Sequence, residues 1–216
     1  GASFLNLSGF QIFMMTSAGA APSVLPKCGL LLSDFSGADG SSNRNTTDGV
    51  RIEGYSEMPG LFVYRSVDND FRACVFSQYN NMAAVAITRQ NNFGMSSPNR
   101  TLSSGGFACT ENDFFGCEVH GRKNADSTWP AMYLDEARTV RYFGGIIDCS
   151  ASGQGHVYMT GSGGGGHTFE TKFYTESGHA PSYLFLTGGS VDTLCTMGSV
   201  KDGSVLSAQS FAGAYP

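Results

Sequence analysis

Charge is scarce in this chain. Asp, Glu, Lys and Arg make up 14% of its 216 residues, with a net charge of −5. No Lys/Arg stripe is available to neutralise a phosphate backbone, so no nucleic acid partner is expected. No apolar run approaches the roughly 20 residues of a membrane-crossing helix, so no membrane insertion is expected either. None of the six cysteines forms a Cys-x-x-Cys pair, and His120, His156, His167 and His179 show no metal-ligand spacing. No metal and no cofactor are therefore expected. The four glycines Gly163 to Gly166 lack the Lys-Ser/Thr ending of a phosphate loop and read as a turn. An initiator Met is also missing, since the chain opens Gly1-Ala2-Ser3, and this reads as a fragment or a processed product.

What the chain has in quantity is glycine, 29 residues, together with 41% hydrophobic residues. That mixture suits stacked strands joined by tight turns, and it is too apolar for disorder. One pattern recurs three times: Ala131-Met132-Tyr133-Leu134-Asp135, His156-Val157-Tyr158-Met159-Thr160 and Tyr183-Leu184-Phe185-Leu186-Thr187. In each the second and fourth residues are apolar and a ring stands between them, which is the period-two signature of a half-buried strand. Tyr133 and Tyr158 are 25 residues apart, and Phe185 follows after 27. Each copy is followed within about ten residues by a second alternation, for example Phe169, Thr171 and Phe173. A fixed period of this size, made of strands with no helix between them, predicts a solenoid.

Earlier copies extend the pattern. Gly60 to Tyr64 leads into Asn69-Asp70-Phe71-Arg72-Ala73-Cys74, and Gly106 to Thr110 leads into Asn112-Asp113-Phe114-Phe115-Gly116-Cys117. The two Asn-Asp-Phe-x-x-Cys segments lie 43 residues apart. The excess over one period is assigned to the polar run Arg89 to Ser104, following a third strand at Met82 to Thr88. Ser36 to Asp48 reads as an exposed loop. The expected organisation is N-terminal coils with surface loops over 1–59, regular coils over 60–198, and a cap or the start of a further region over 199–216. Five of the cysteines fall in or at the ends of strands and Cys28 precedes one. They are read as free thiols filling small core sites, consistent with assembly in a reducing compartment.

A solenoid places equivalent residues of successive coils about 4.8 Å apart. Phe62, Ala108, Tyr133, Tyr158 and Phe185 are expected to form one outward column, and Arg72, Phe115, Arg141, Glu170 and Asp192 another. Glycoside hydrolysis needs two carboxyl groups roughly 5 to 9.5 Å apart, a spacing that neighbouring coils supply. The candidate catalytic group is Glu170 with Asp192, and Arg141 to orient substrate. Asp148 with Glu176, Glu111 with Asp113, and Asp135 with Glu136 are further carboxylate groupings. Tyr133, Tyr158, Phe185 and Trp129 are the candidate substrate-binding rings, although the ring column equally suits a subunit interface. Asn45-Thr46-Thr47 and Asn99-Arg100-Thr101 match the glycosylation sequon.

The three-strand coils, the Asn-Asp-Phe turns, the stacked rings, Tyr142-Phe143-Gly144-Gly145 and Phe173-Tyr174-Thr175-Glu176-Ser177-Gly178 together resemble the body of bacteriophage tailspikes and tail-fibre polysaccharide depolymerases. The resemblance spans Gly60 to Met197 and is more specific for fold than for activity. It implies an all-β, right-handed, single-stranded parallel β-helix, one protomer of a homotrimer. It further implies a virion location on the phage tail after assembly in the host cytoplasm, contact with other tail proteins, and recognition of bacterial surface polysaccharide. Cleavage by Asp/Glu pairs is common among its members. A structural fibre or decoration segment without a glycan site is the alternative. A secreted β-helix polysaccharide lyase is another, but the sequence lacks a convincing cluster of calcium-binding aspartates near a basic residue.

Overall fold

A computed structural model describes residues 4–33, 44–89, 109–121, 129–149, 155–160, 165–175, 183–188, 192–194, 199–201 and 211–212. Every regular element among them is a β-strand, and the strand pairings are parallel. The first coil consists of β1 (Phe4–Ser8), β2 (Gln11–Met14) and β3 (Leu30–Ser33). The second is β4 (Arg44–Asp48), β5 (Arg51–Gly54) and β6 (Leu61–Tyr64). The third is β7 (Asn69–Arg72), β8 (Val75–Gln78) and β9 (Val85–Thr88), and the fourth β10 (Thr110–Phe115), β11 (Glu118–His120) and β12 (Met132–Asp135). Two longer strands then carry a coil each with one partner: β13 (Arg138–Cys149) with β14 (Gly155–Thr160), and β15 (Gly165–Thr175) with β16 (Tyr183–Gly188). A seventh coil is formed by β17 (Asp192–Leu194), β18 (Ser199–Lys201) and β19 (Phe211–Ala212).

First strands pair with first strands, second with second and third with third along the whole series. Because β13 and β15 run through the first corner, they join the first two stacks into one twelve-stranded sheet, which faces a seven-stranded sheet of third strands. This is the architecture of a parallel β-solenoid. Its stacking begins at β1, within the stretch expected to hold N-terminal coils, and includes β18 and β19 beyond residue 198.

The register corrects the coil assignment. β9 stacks between β6 and β12, so Met82 to Thr88 takes the place in that stack where Gly106 to Thr110 had been expected, and the strand that follows β6 and β7 on the remaining side of the coil is β8. Position 108 lies outside the described residues. The expected exposed loop 36–48 contains β4, whose inward residues Asn45 and Thr47 are polar. A strand that turns polar side chains inward carries no apolar alternation, which is why composition alone reads it as a loop.

Inward columns build the core. Phe71, Phe114, Tyr142 and Phe169 occupy successive rungs, with ring centroids 4.7, 5.3 and 6.3 Å apart and ring planes within 20°. Each is fully buried, and such stacks contribute about 0.5 to 1.5 kcal/mol per pair beyond area burial. Tyr142 can sit among phenylalanines because its hydroxyl donates to the Cys117 carbonyl at 2.7 Å. Ile52, Phe76, Val119, Ile147 and Phe173 form the corresponding column of the second stack, and Val63, Ile87, Leu134 and Met159 that of the third.

Beside the ring column runs a polar one. Asn45 Nδ2 donates to Asn69 Oδ1 (2.7 Å), and Asn69 Nδ2 donates to Asn112 Oδ1 (2.6 Å). All three are buried, so each amide satisfies its neighbour one coil away. The sequon asparagine Asn45 is therefore an internal ladder residue, not a surface acceptor. Beyond Asn112 the column continues through Val140 and His167 to Thr193, and His167 Nδ1 accepts from the Val140 N–H at 3.2 Å.

The corner between the first and second stacks is left-handed in five successive coils, at Gly9, Gly49, Ala73, Gly116 and Gly144. In the fifth coil the next residue, Gly145, is also at φ +67, and a Cβ there would stand 1.8 Å from the Cys117 carbonyl oxygen. No other residue type fits that position without moving backbone.

Candidate functional site

The ring column expected on the third stack is not an open surface. Phe62, Ala86, Tyr133 and Tyr158 do occupy one outward column. Phe62 is fully buried and Tyr133 is 8% exposed, in a second apolar cluster with Met58, Tyr64, Ala83 and Ala86. Trp129 and Tyr158 pack on this cluster, with Trp129 edge-on to Tyr133 at 5.4 Å and Tyr133 5.6 Å from Tyr158. Met58 belongs to the turn between β5 and β6. That turn is anchored by buried Gln78, whose Nε2 donates to Ser56 Oγ (2.8 Å) and to the Met58 carbonyl (2.9 Å). The β16 residue paired with Tyr158 is Leu186; Phe185 is paired with Val157, one residue out of the expected column. Successive coils differ in length by a few residues, and a shift of one exchanges inward for outward.

The expected catalytic group Glu170, Asp192 and Arg141 is likewise not brought together. Glu170 pairs with Phe143, in the outward column Asp48, Arg72, Phe115, Phe143, Glu170. Arg141 stands in the adjacent outward column Thr46, Asp70, Asp113, Arg141, Thr168. Asp192 pairs with Gly165, five residues before Glu170, or roughly 16 Å along the strand. Arg141 instead holds Asp113 through a two-point ion pair, Nε to Oδ1 at 2.7 Å and Nη2 to Oδ2 at 2.5 Å. The Asp113 carboxylate raises the guanidinium's pKa further above its ordinary value, mainly through this hydrogen bond. Of the further carboxylates, Glu111 and Asp113 both lie within β10; Glu111 is pushed above its ordinary value by its hydrogen bond with Asp68 and the like charge there. Glu136 is paired with Arg89 at 3.1 Å, Asp135 is buried at the end of β12, and Glu176 lies outside the described residues.

The outer face of the first two stacks carries what the sequence reading missed. Phe115 is exposed and Phe143 half-buried; the two rings stack one coil apart, with centroids at 5.8 Å and planes at 17°. Arg72 lies over the Phe115 ring from the coil before, 5.9 Å from its centroid, and Glu170 follows Phe143 in the coil after. The pair was legible in principle: Asn112-Asp113-Phe114-Phe115 and Tyr142-Phe143 each put an inward ring directly before an outward one.

A cleft of about 540 Å³ adjoins the platform, lined by Glu118, Gly144, Gly145, Ile146, Glu170, Thr171 and Lys172. Its origin is a bulge. Phe143 pairs with Glu170 and Ile146 with Lys172, so Gly144 and Gly145 together oppose the single residue Thr171. Two side-chain-free residues at this place leave open surface between Glu118 in the coil before and Glu170 in the coil after.

Behind Glu118 is a histidine held from both sides. His120 Nε2 is 3.2 Å from Glu118 Oε2, and Nδ1 is 3.2 Å from Asp148 Oδ2. Asp148 is buried and is the next rung of the His120 column. Burial pulls the imidazole pKa down, but the hydrogen bonds to Asp148 and Glu118 outweigh it and leave it raised above the ordinary 6.5. Glu53, in the same column two coils earlier, accepts from Arg51 Nε at 2.6 Å and from the Tyr79 hydroxyl. Among the described residues no group of three or more His, Cys, Asp or Glu side chains is placed to hold a metal, and no helix is long and apolar enough to cross a membrane.

Compared with family models, with curated proteins and with solved structures, the chain matches none.

Proposed function

We propose that this chain is a receptor-binding solenoid of the tailspike kind, a right-handed, single-stranded parallel β-helix that recognises bacterial cell-surface polysaccharide from a phage virion. The observation that carries the reading is the Phe115–Phe143 stack on the outside of adjacent coils. A pyranose presents an apolar face of C–H groups, and an aromatic ring set along a regular wall offers that face a partner. Arg72 and Glu170, in the same column, supply charged groups for the hydroxyls around it. Right-handed winding accords with the strong bias of parallel strand crossovers, which follows from strand twist. The homotrimer, the virion location, assembly in the host cytoplasm and contact with other tail proteins belong to the same proposal and rest on the resemblance of the coils to tailspikes.

The test is retention of the protein by purified bacterial capsular and O-antigen polysaccharides in affinity electrophoresis. Binding to at least one is expected, and replacing both Phe115 and Phe143 by Ala should weaken it about tenfold or more while the circular-dichroism spectrum stays strand-like. Retention by none would overturn the reading and leave a structural fibre segment. Light scattering at micromolar concentration should give the mass of a trimer; a monodisperse monomer would overturn that part.

A further inference from the structure

We propose that Cys74 and Cys117 are a disulfide-forming pair, a staple between the third and fourth coils that closes by exchange with a small-molecule disulfide such as oxidised glutathione. Nothing in this pair depends on what the solenoid binds. The two cysteines end the repeated Asn-Asp-Phe-x-x-Cys segments, and the register sets them side by side. Phe115 pairs with Arg72 and Glu118 with Val75, with two residues between on each side, so Cys117 occupies the rung directly after Cys74. The Glu118 N–H donates to the Cys74 carbonyl at 2.8 Å and fixes this step. One rung puts the two Cα atoms about 4.8 Å apart, within the roughly 4.4 to 6.8 Å that disulfides span.

The corner aims both thiols the same way. Ala73 and Gly116, the residues directly before them, are both left-handed, at φ 47 and φ 62. Cys117 Sγ reaches back to the Phe71 carbonyl, 3.3 Å away in the coil that carries Cys74, and the two thiols hydrogen-bond to each other. Both side chains are fully buried, yet each sits one residue beneath an exposed corner residue. The neighbouring rungs of this column hold Val50 and Gly145, so each cysteine faces one thiol in it, that of the other.

The shared hydrogen bond divides the roles. It lowers the pKa of the Cys74 thiol below its ordinary value, and together with burial it raises that of Cys117. Cys74 is therefore the attacking thiolate. Its sulfur bonds to one sulfur of the small disulfide, whose S–S bond breaks, and the departing thiolate takes up the proton that Cys74 gave up. Cys117 then loses its proton and attacks the Cys74 sulfur of the mixed disulfide, expelling the second small thiol. The protein gives up two hydrogens and is oxidised, and the small disulfide is reduced to two thiols. In reducing surroundings the thiols stay free, as they are in the structure, and the coils wind before the bond forms. Once closed, it ties the coil of Arg72 to the coil of Phe115, each two residues from its cysteine.

The experiment uses the full chain, reduced, freed of reductant and incubated folded with oxidised glutathione at about pH 8, close to the ordinary thiol range. The protein is then alkylated and mapped by mass spectrometry without reduction. The expected product is a peptide joining Cys74 to Cys117, lighter than its parts by two hydrogens, with no glutathione left on either. Because the bond restrains the unfolded chain across a separation of 43 residues, urea unfolding should be about 10²- to 10³-fold less favourable for the oxidised protein than for the reduced one. Comparing two redox states of one sequence requires no variant to fold. Cys117→Ala should gain no stability from the same treatment. Two cysteines that remain unlinked and alkylate once unfolded, a bond from either to a different cysteine, or equal stability of the two redox states would overturn the proposal.

Discussion

His167 provides a measurement that tests the inside of the solenoid. Its side chain is 1% exposed, and burial pushes its pKa down to about 4 from an ordinary 6.5. The folded state therefore resists protonation and the unfolded state takes up the proton first. Stability is intact above about pH 6.5, is lost as pH falls toward 4, and changes no further below that on this residue's account. A difference of about 2.5 pH units corresponds to a full loss of about 3.4 kcal/mol, or about three-hundredfold in the folding equilibrium, most of it (about 3 kcal/mol) already reached at pH 4. Carboxylates titrate in the same window and His120 contributes with the opposite sign, so the comparison must be with a variant. His167→Asn suits the purpose: asparagine occupies this column at Asn45, Asn69 and Asn112, and its amide oxygen can accept from the Val140 N–H in place of Nδ1. Urea unfolding of both proteins at pH 7 and pH 4 should show the wild type losing about 3 kcal/mol more than the variant. Equal losses would mean that His167 is not held neutral in the core, and the inward assignment of its column would fail.

Two further perturbations follow from the same geometry. Asn69→Leu fills the space but removes the buried bonds that Asn69 accepts from Asn45 and donates to Asn112, so chemical denaturation should show a loss of about 2 to 5 kcal/mol; a loss below about 1 kcal/mol would show that the ladder is not a stabilising element. Gly145→Ala places a Cβ against the Cys117 carbonyl at a positive φ and should cost about 2 to 4 kcal/mol, while Gly116→Ala, whose Cβ meets nothing within 4 Å, should cost only the smaller conformational strain. Equal melting temperatures for the two variants would refute the close approach at the bulge.

Local sequence determined that this chain makes strands and that the strands stack. Tyr133 and Tyr158 repeat with their apolar neighbours at one period, and the structure sets them on adjacent rungs. Alternation is a property of a few consecutive residues, and it is imposed by the pleat itself. Three things were decided only by tertiary structure. Which residues share a column depends on loop lengths summed around each coil, so Phe185 fell beside Val157 and Asp192 beside Gly165. Which side of the wall stays open depends on what folds over it: the β5–β6 turn, anchored through Gln78, covers the third-stack rings, whereas Phe115 remains exposed. The cleft exists because two glycines in one coil oppose a single threonine in the next, a mismatch that is invisible in either segment alone and arises only when the two are paired.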